Sequence, residues 1–222
     1  LRSRCFNMKQ YVGVIFDLDG TLTDTLGDLA DATNAVLRDH GLPVWPEEAY
    51  RRMVGSGARK LIERALGDRA TPALTDELLA AFIPVYNANC LHRTRPYTGV
   101  MDCLEALQRR GTRLAVVTNK PEEQAHKVVQ AFFGGKVFTH VLGGRTDRPK
   151  KPDPGAVLSV LNDWGMRPEE ALYVGDSDVD IYTAHNAGMA GAGACWGFRG
   201  EEELRAAGAD YLLDLPLDLL RE

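Results

Sequence analysis

Apolar runs of strand length, each followed by a segment of helical character, recur along most of this chain, and that alternation predicts a parallel sheet wrapped by helices. Tyr11 to Phe16 is a compact apolar run that stops at Asp17. Leu114 to Val117, Val137 to Val141, Ala171 to Val174 and Gly191 to Trp196 follow, each reading as a buried strand. Between the first and second runs lie about a hundred residues without a convincing strand, where a crossover needs only a dozen or so; something has been inserted there. Residues 25 to 40 carry apolar side chains at helical spacing and stop at Gly41, with Pro43 beyond. Gly57 to Leu66 and Thr75 to Leu91 read the same way, the second weakened by Pro84. The expectation is an α/β protein in which residues 8–22 and 96–222 form the sheet and its helices, and residues 23–95 form a small helical domain. Pro96 to Gly99 would return the chain, and Val100 to Arg110 would be the delayed first crossover helix.

At 222 residues, 45% hydrophobic and 26% charged, the chain can bury a substantial core without help from disulfides. Its formal charge of -5, with no basic stripe, argues against nucleic acid as a partner. Cys5, Cys90, Cys103 and Cys195 lack metal-ligand spacing and read as reduced structural thiols. No apolar run approaches the roughly 20 residues of a membrane span, and Leu1 to Gln10 lacks the apolar core of a secretory signal, so a cytoplasmic protein is expected. Met8-Lys9 immediately precedes the first strand, which suggests that residues 1 to 7 are a remnant or a misassigned start.

In an open parallel sheet the ligand crevice lies beyond the carboxyl ends of the strands, and four polar signals fall there. The first is Asp17-Leu18-Asp19-Gly20-Thr21-Leu22. One carboxylate can attack phosphorus while its neighbour protonates the departing oxygen, and Gly20 permits a sharp exit from the strand. Second, Thr118-Asn119-Lys120 ends another strand before Pro121, where a hydroxyl and backbone amides suit phosphoryl oxygens; alone, the same pattern is an ordinary helix cap. In the third, Lys150-Lys151-Pro152-Asp153-Pro154, prolines fix where Lys151 points, and its ammonium can offset charge on a transferring phosphoryl group. The fourth, Gly175-Asp176-Ser177-Asp178-Val179-Asp180, gathers carboxylates that a hard cation would neutralise, although acids at a helix N-terminus account for part of it.

Together these motifs resemble the haloacid dehalogenase superfamily of phosphatases, and the tail Gly208-Ala209-Asp210-Tyr211 is similar to that of its phosphoglycolate phosphatase-like branch. The resemblance covers nearly the whole chain. It implies a Rossmann-like core with a helical cap inserted after the first strand. It also implies Mg²⁺ as cofactor, Asp17 as nucleophile and metal ligand, and Asp19 as acid/base that lends its backbone carbonyl to the metal. Thr118 and Asn119 would bind phosphate, Lys151 would stabilise the pentacoordinate phosphorus, and Asp176 would complete the protein ligands. Asp180 would support the metal through water or Lys151. Asp19 points to phosphate esters, since dehalogenases and phosphonate-cleaving members lack it.

The cap would exclude bulk water and choose the substrate. Gly55 to Lys60 resembles the cap loop that faces the aspartates, with Gly57 at the phosphate and Arg59 or Lys60 placed to meet a substrate carboxylate or second phosphate. Asp28, Trp45, Tyr86 and Trp196 read as packing or surface residues. The expected partner is a small phosphorylated molecule, 2-phosphoglycolate first, handled by a monomer or homodimer. A sugar phosphate, nucleotide or pyrophosphate, a phosphosugar mutase reaction, and a phosphometabolite-binding protein without turnover remain open.

Overall fold

The computed structural model describes residues 8–221, so the expectation about residues 1 to 7 lies outside it. β1 (Gly13–Phe16) leads through the two-residue strand β2 (Thr23–Asp24) into three helices, α1 (Leu26–Asp39), α2 (Ala58–Leu66) and α3 (Pro72–Asn89). The chain returns through β3 (Arg95–Pro96). Helices and strands then alternate: α4 (Val100–Arg109), β4 (Arg113–Pro121), α5 (Glu122–Phe132), β5 (His140–Gly144), α6 (Gly155–Trp164) and β6 (Ala171–Gly175). The series ends with α7 (Asp178–Asn186), β7 (Ala190–Ala194), α8 (Glu201–Ala206) and β8 (Tyr211–Leu213).

Six strands form one parallel sheet in the order β5-β4-β1-β6-β7-β8, an α/β Rossmann-like arrangement. Helices cover both faces. On one, Val14, Phe16, Val116 and Val174 pack with Val128 and Val129 of α5; on the other, Ile15, Val117 and Tyr173 meet Val157 and Val160 of α6. Successive strand residues point to opposite faces, which is why β1 and β6 had to be apolar throughout. The central strands β1, β4 and β6 run in register, Phe16 opposite both Val116 and Val174. Their carboxyl ends therefore emerge side by side.

The helical segment has its own core, in which Leu29, Val36, Leu61, Ile62, Leu78 and Phe82 meet. Its entry and exit lie together, because β2 pairs antiparallel with β3. Asp28, buried in α1, pins this crossing: it accepts from the Arg93 and Thr94 amides at 2.8 and 2.9 Å and from the Thr94 hydroxyl at 2.7 Å.

Three local expectations need correction. The α3 helix starts earlier than Thr75, because Pro72 takes the first helical position and the Thr71 hydroxyl accepts from the Leu74 amide at 3.2 Å; Pro84 lies within it without ending it. The strand expected at Val137 begins at His140, since Phe138 turns into the core against Phe133, ring edge to face. A sixth strand, Tyr211–Leu213, was too short for its periodicity to stand out. Among the described residues no helix is long and apolar enough to cross a membrane.

Candidate active site

Asp17 follows β1 directly, its amide donating to the Val174 carbonyl at 2.9 Å, so its carboxylate is fixed at the carboxyl edge of the sheet. Thr118, from the end of β4, lies beside it and favours its charged form. Asp176 and Asp180, from the end of β6 and the first turn of α7, come close enough that ligand oxygens of all three aspartates lie within 4.8 Å of one another. All three are buried. Gly20, at φ 83°, lets the chain turn away beneath Asp176; a Cβ there would lie 2.3 Å from Asp176 Oδ2.

Lys151 reaches the same point from the loop between β5 and α6. Its ammonium lies 3.0 Å from Asp17 Oδ1 and donates to Asp180 Oδ1 at 2.7 Å and to the Tyr173 hydroxyl at 3.0 Å. Burial opposes its charge, but Asp17 and Asp180 hold the lysine well above its usual range. Burial pushes the Asp17 carboxyl up to about 6 against the pull of Lys151. Asp176 is driven well above the ordinary carboxylate range by burial and then by repulsion from Asp180 and Asp17.

Three buried carboxylates thus face one ammonium, and Asp17 Oδ1, although at ion-pair distance from Lys151, has no aligned hydrogen bond. An all-oxygen donor set with excess negative charge fits a hard divalent cation. Asp17 and Asp176 have capacity for it. Asp180 is more committed: Oδ1 takes the Lys151 proton, while Oδ2 accepts from the Ser177 amide at 3.0 Å and hydroxyl at 2.7 Å.

Asn119 braces the surrounding loops. Its Oδ1 accepts from the Lys151 amide at 2.9 Å, and its Nδ2 donates to the Lys151 and Gly55 carbonyls, each at 3.2 Å. Gly57 lies against this loop, where a Cβ would come within 2.9 Å of Lys150 Nζ. The structure therefore brings Asp17, Asp19, Thr118, Asn119 and Gly57 to one cavity, with Lys151, Asp176 and Asp180 beside Asp17.

Arg59 is not among them. Its guanidinium, 42% exposed, pairs with Asp76 of α3 and with Glu63, while Lys60 pairs with Glu63 at 2.6 Å. Sequence reasoning also passed over Lys120 and Tyr86. Lys120 Nζ donates to Asp19 Oδ1 at 2.8 Å and to the Tyr86 hydroxyl, and both residues line the cavity; Tyr86 packs in the core of the helical unit, as expected, and reaches the cavity as well. Only the position of Lys120 within Thr118-Asn119-Lys120 signalled it.

Residues 14–194 match the family model described as haloacid dehalogenase-like hydrolase. The chain belongs to that family. As a haloacid dehalogenase-like hydrolase it is 37% identical over 212 residues to phosphoglycolate phosphatase 1 of Pseudomonas aeruginosa, covering 93% of this chain and 78% of that protein. It is 36% identical over 220 residues to a phosphoglycolate phosphatase of Mannheimia succiniciproducens, covering 96% and 98%. A solved structure from Lactobacillus delbrueckii subsp. bulgaricus, provisionally described as a phosphoglycolate phosphatase, superposes with a TM-score of 0.90 at 30% identity over 95% of this chain and 97% of that one. Within its family the chain is a phosphoric monoester hydrolase.

Proposed function

We propose that the protein is a magnesium-dependent phosphatase that hydrolyses a small phosphomonoester, 2-phosphoglycolate first among them, through a phosphoryl group carried on Asp17. The observation that carries this reading is Asp17 itself: a buried carboxylate at the end of β1, next to Lys151 and Thr118, with the Asp19 carboxyl opening onto the same cavity. The substrate is named from the relatives, which are phosphoglycolate phosphatases along almost the whole chain.

In the first step an Asp17 oxygen attacks phosphorus and the ester oxygen departs, taking its proton from Asp19. Water then attacks the phosphoryl group with Asp19 accepting its proton, which frees inorganic phosphate and restores the Asp17 carboxylate. Thr118 and the loop braced by Asn119 hold phosphoryl oxygens, and Lys151 offsets the charge that develops on them. Asp180 keeps Lys151 in place. Asp17, Asp176 and the Asp19 backbone carbonyl would hold Mg²⁺, which supplies positive charge against the phosphoryl oxygens. The helical unit of residues 23–95 serves as the cap, with the β2–β3 ribbon as its hinge and Gly55 to Gly57 as the edge that meets the core.

Magnesium binding should register without any substrate. At about 100 times its dissociation constant Mg²⁺ adds about 2.7 kcal/mol of stability, or about 5–10 °C in Tm for a chain of this size. Asp176→Asn should lose most of that shift while melting no lower than the parent in chelator, because a buried repelled charge is gone. Equal Tm values with Mg²⁺ and with chelator in the parent protein would contradict the metal assignment. The function itself is tested by phosphate release from 2-phosphoglycolate, sugar phosphates, nucleotides and pyrophosphate. Magnesium-dependent preference for 2-phosphoglycolate is expected; preference for another compound would replace the substrate, and no release from any would remove the activity.

A further inference from the structure

Between the helical unit and the sheet lies a cavity of ≈ 560 Å³, counted to its solvent-open mouth, with Asp17 and Asp19 on one side and Leu29, Leu61, Phe82 and Ile83 on the other. Lys120 is the one cation among the described residues lining it. Its ammonium is buried, 4.8 Å from the centre of the Tyr86 ring, and Asp19 with Tyr86 holds it above the usual lysine range against the effect of burial. An ammonium has three protons, and Asp19 and Tyr86 take two. Gln124, which lines the same cavity, has a buried Oε1 with no hydrogen-bond partner. A fixed cation and a free acceptor, set between the polar side of the chamber and its apolar wall of Leu29, Leu61, Phe82 and Ile83, are what an anionic, hydroxyl-bearing leaving group requires.

We propose that Lys120 selects the substrate by binding a carboxylate on the alcohol portion of the ester, bonded directly to the ester-bearing carbon. The proposal rests on the phosphatase reading above. Distance carries the second half of it. Asp19 must reach the ester oxygen to protonate it, and Lys120 Nζ is only 2.8 Å from Asp19 Oδ1. A group held by Lys120 therefore lies within a few ångströms of the ester oxygen, which an adjacent carboxylate satisfies and a distant one does not. A neutral hydroxyl in that place can accept the third ammonium proton but brings no negative charge, and the charge-assisted bond to a carboxylate is roughly twice as strong. Arg59 and Lys60 are turned outward into ion pairs and take no part.

The test compares kcat/KM for 2-phosphoglycolate with that for 2-hydroxyethyl phosphate, in which a neutral hydroxymethyl group replaces the carboxylate. The parent enzyme should favour the acid by about 100-fold or more, as sites built around a polar group do. Lys120→Met should bring the ratio within about fivefold, mainly through KM for the acid. Lys120→Gln, which keeps hydrogen bonding to Asp19 and Tyr86 but not the charge, should do the same and guards against misfolding of the first variant. Taking the ratio cancels any loss that acts through Asp19, since both substrates need that proton. An unchanged ratio with both rates lowered would overturn the proposal and leave Lys120 as a support for Asp19. Equal turnover of both esters by the parent would overturn it while the phosphatase reading stands. Turnover of neither would sink both.

Discussion

Asp17→Asn should abolish turnover, by about 10⁴-fold or more, while the protein stays folded. The amide has nearly the shape of the carboxylate but no charge with which to attack phosphorus. Stability should hold or rise in the absence of metal. Burial places the Asp17 carboxyl at about 6, above its ordinary value, so the fold binds that proton more tightly than the unfolded chain does. The sign follows: this group favours folding at low pH, and its contribution is lost as pH rises from the unfolded value through about 6. At neutral pH the fold carries the cost of the charge, and Asn removes it. Phosphate release together with a thermal melt in chelator checks both halves, and activity within tenfold of the parent would take Asp17 out of the chemistry.

Lys151→Met should damage stability and activity together. The side chain is 3% exposed and is the cation against both Asp17 and Asp180, so its loss leaves buried carboxylates unpaired, at a cost of about 3–5 kcal/mol. The rate should fall by about 10²–10³-fold from the lost charge at phosphorus. Adding Asp180→Asn separates the two effects. The double variant removes one stranded charge and should recover a good part of the stability, but none of the activity, because no cation returns. Denaturant midpoints and kcat on the three proteins decide the matter; a Lys151→Met variant as stable as the parent would show that the ion pair is not what holds this loop in place.

The places of Asp17, of Thr118 to Lys120, of Lys151 and of the acidic cluster at Asp176 and Asp180 were legible because each is a local transition. A strand ends, the next residues are polar, and parallel strands in register must present those ends on one edge. The strand beginning at His140 was misplaced because Phe138 is apolar for a reason unrelated to the sheet: it packs on Phe133. Helix α3 ran longer than expected because its cap lies at Thr71, outside the periodic stretch.

Which cation lines the cavity could not be read that way. Arg59, Lys60 and Lys120 are equally plausible as letters, and the choice depends on how α2 is rotated and what else is near. Asp76, 17 residues further along and on another helix, draws Arg59 outward, while Tyr86 and Asp19 hold Lys120 inward from two different parts of the fold. Sequence by itself determined the parallel sheet, the position of the inserted helices and the residues at the strand ends, because hydrophobic periodicity and strand termini are properties of neighbouring residues. Only tertiary structure decided that Asp180 serves Lys151, that Lys120 lines the cavity and that Arg59 does not, because those outcomes depend on charges distant in sequence competing for the same partners in a buried space.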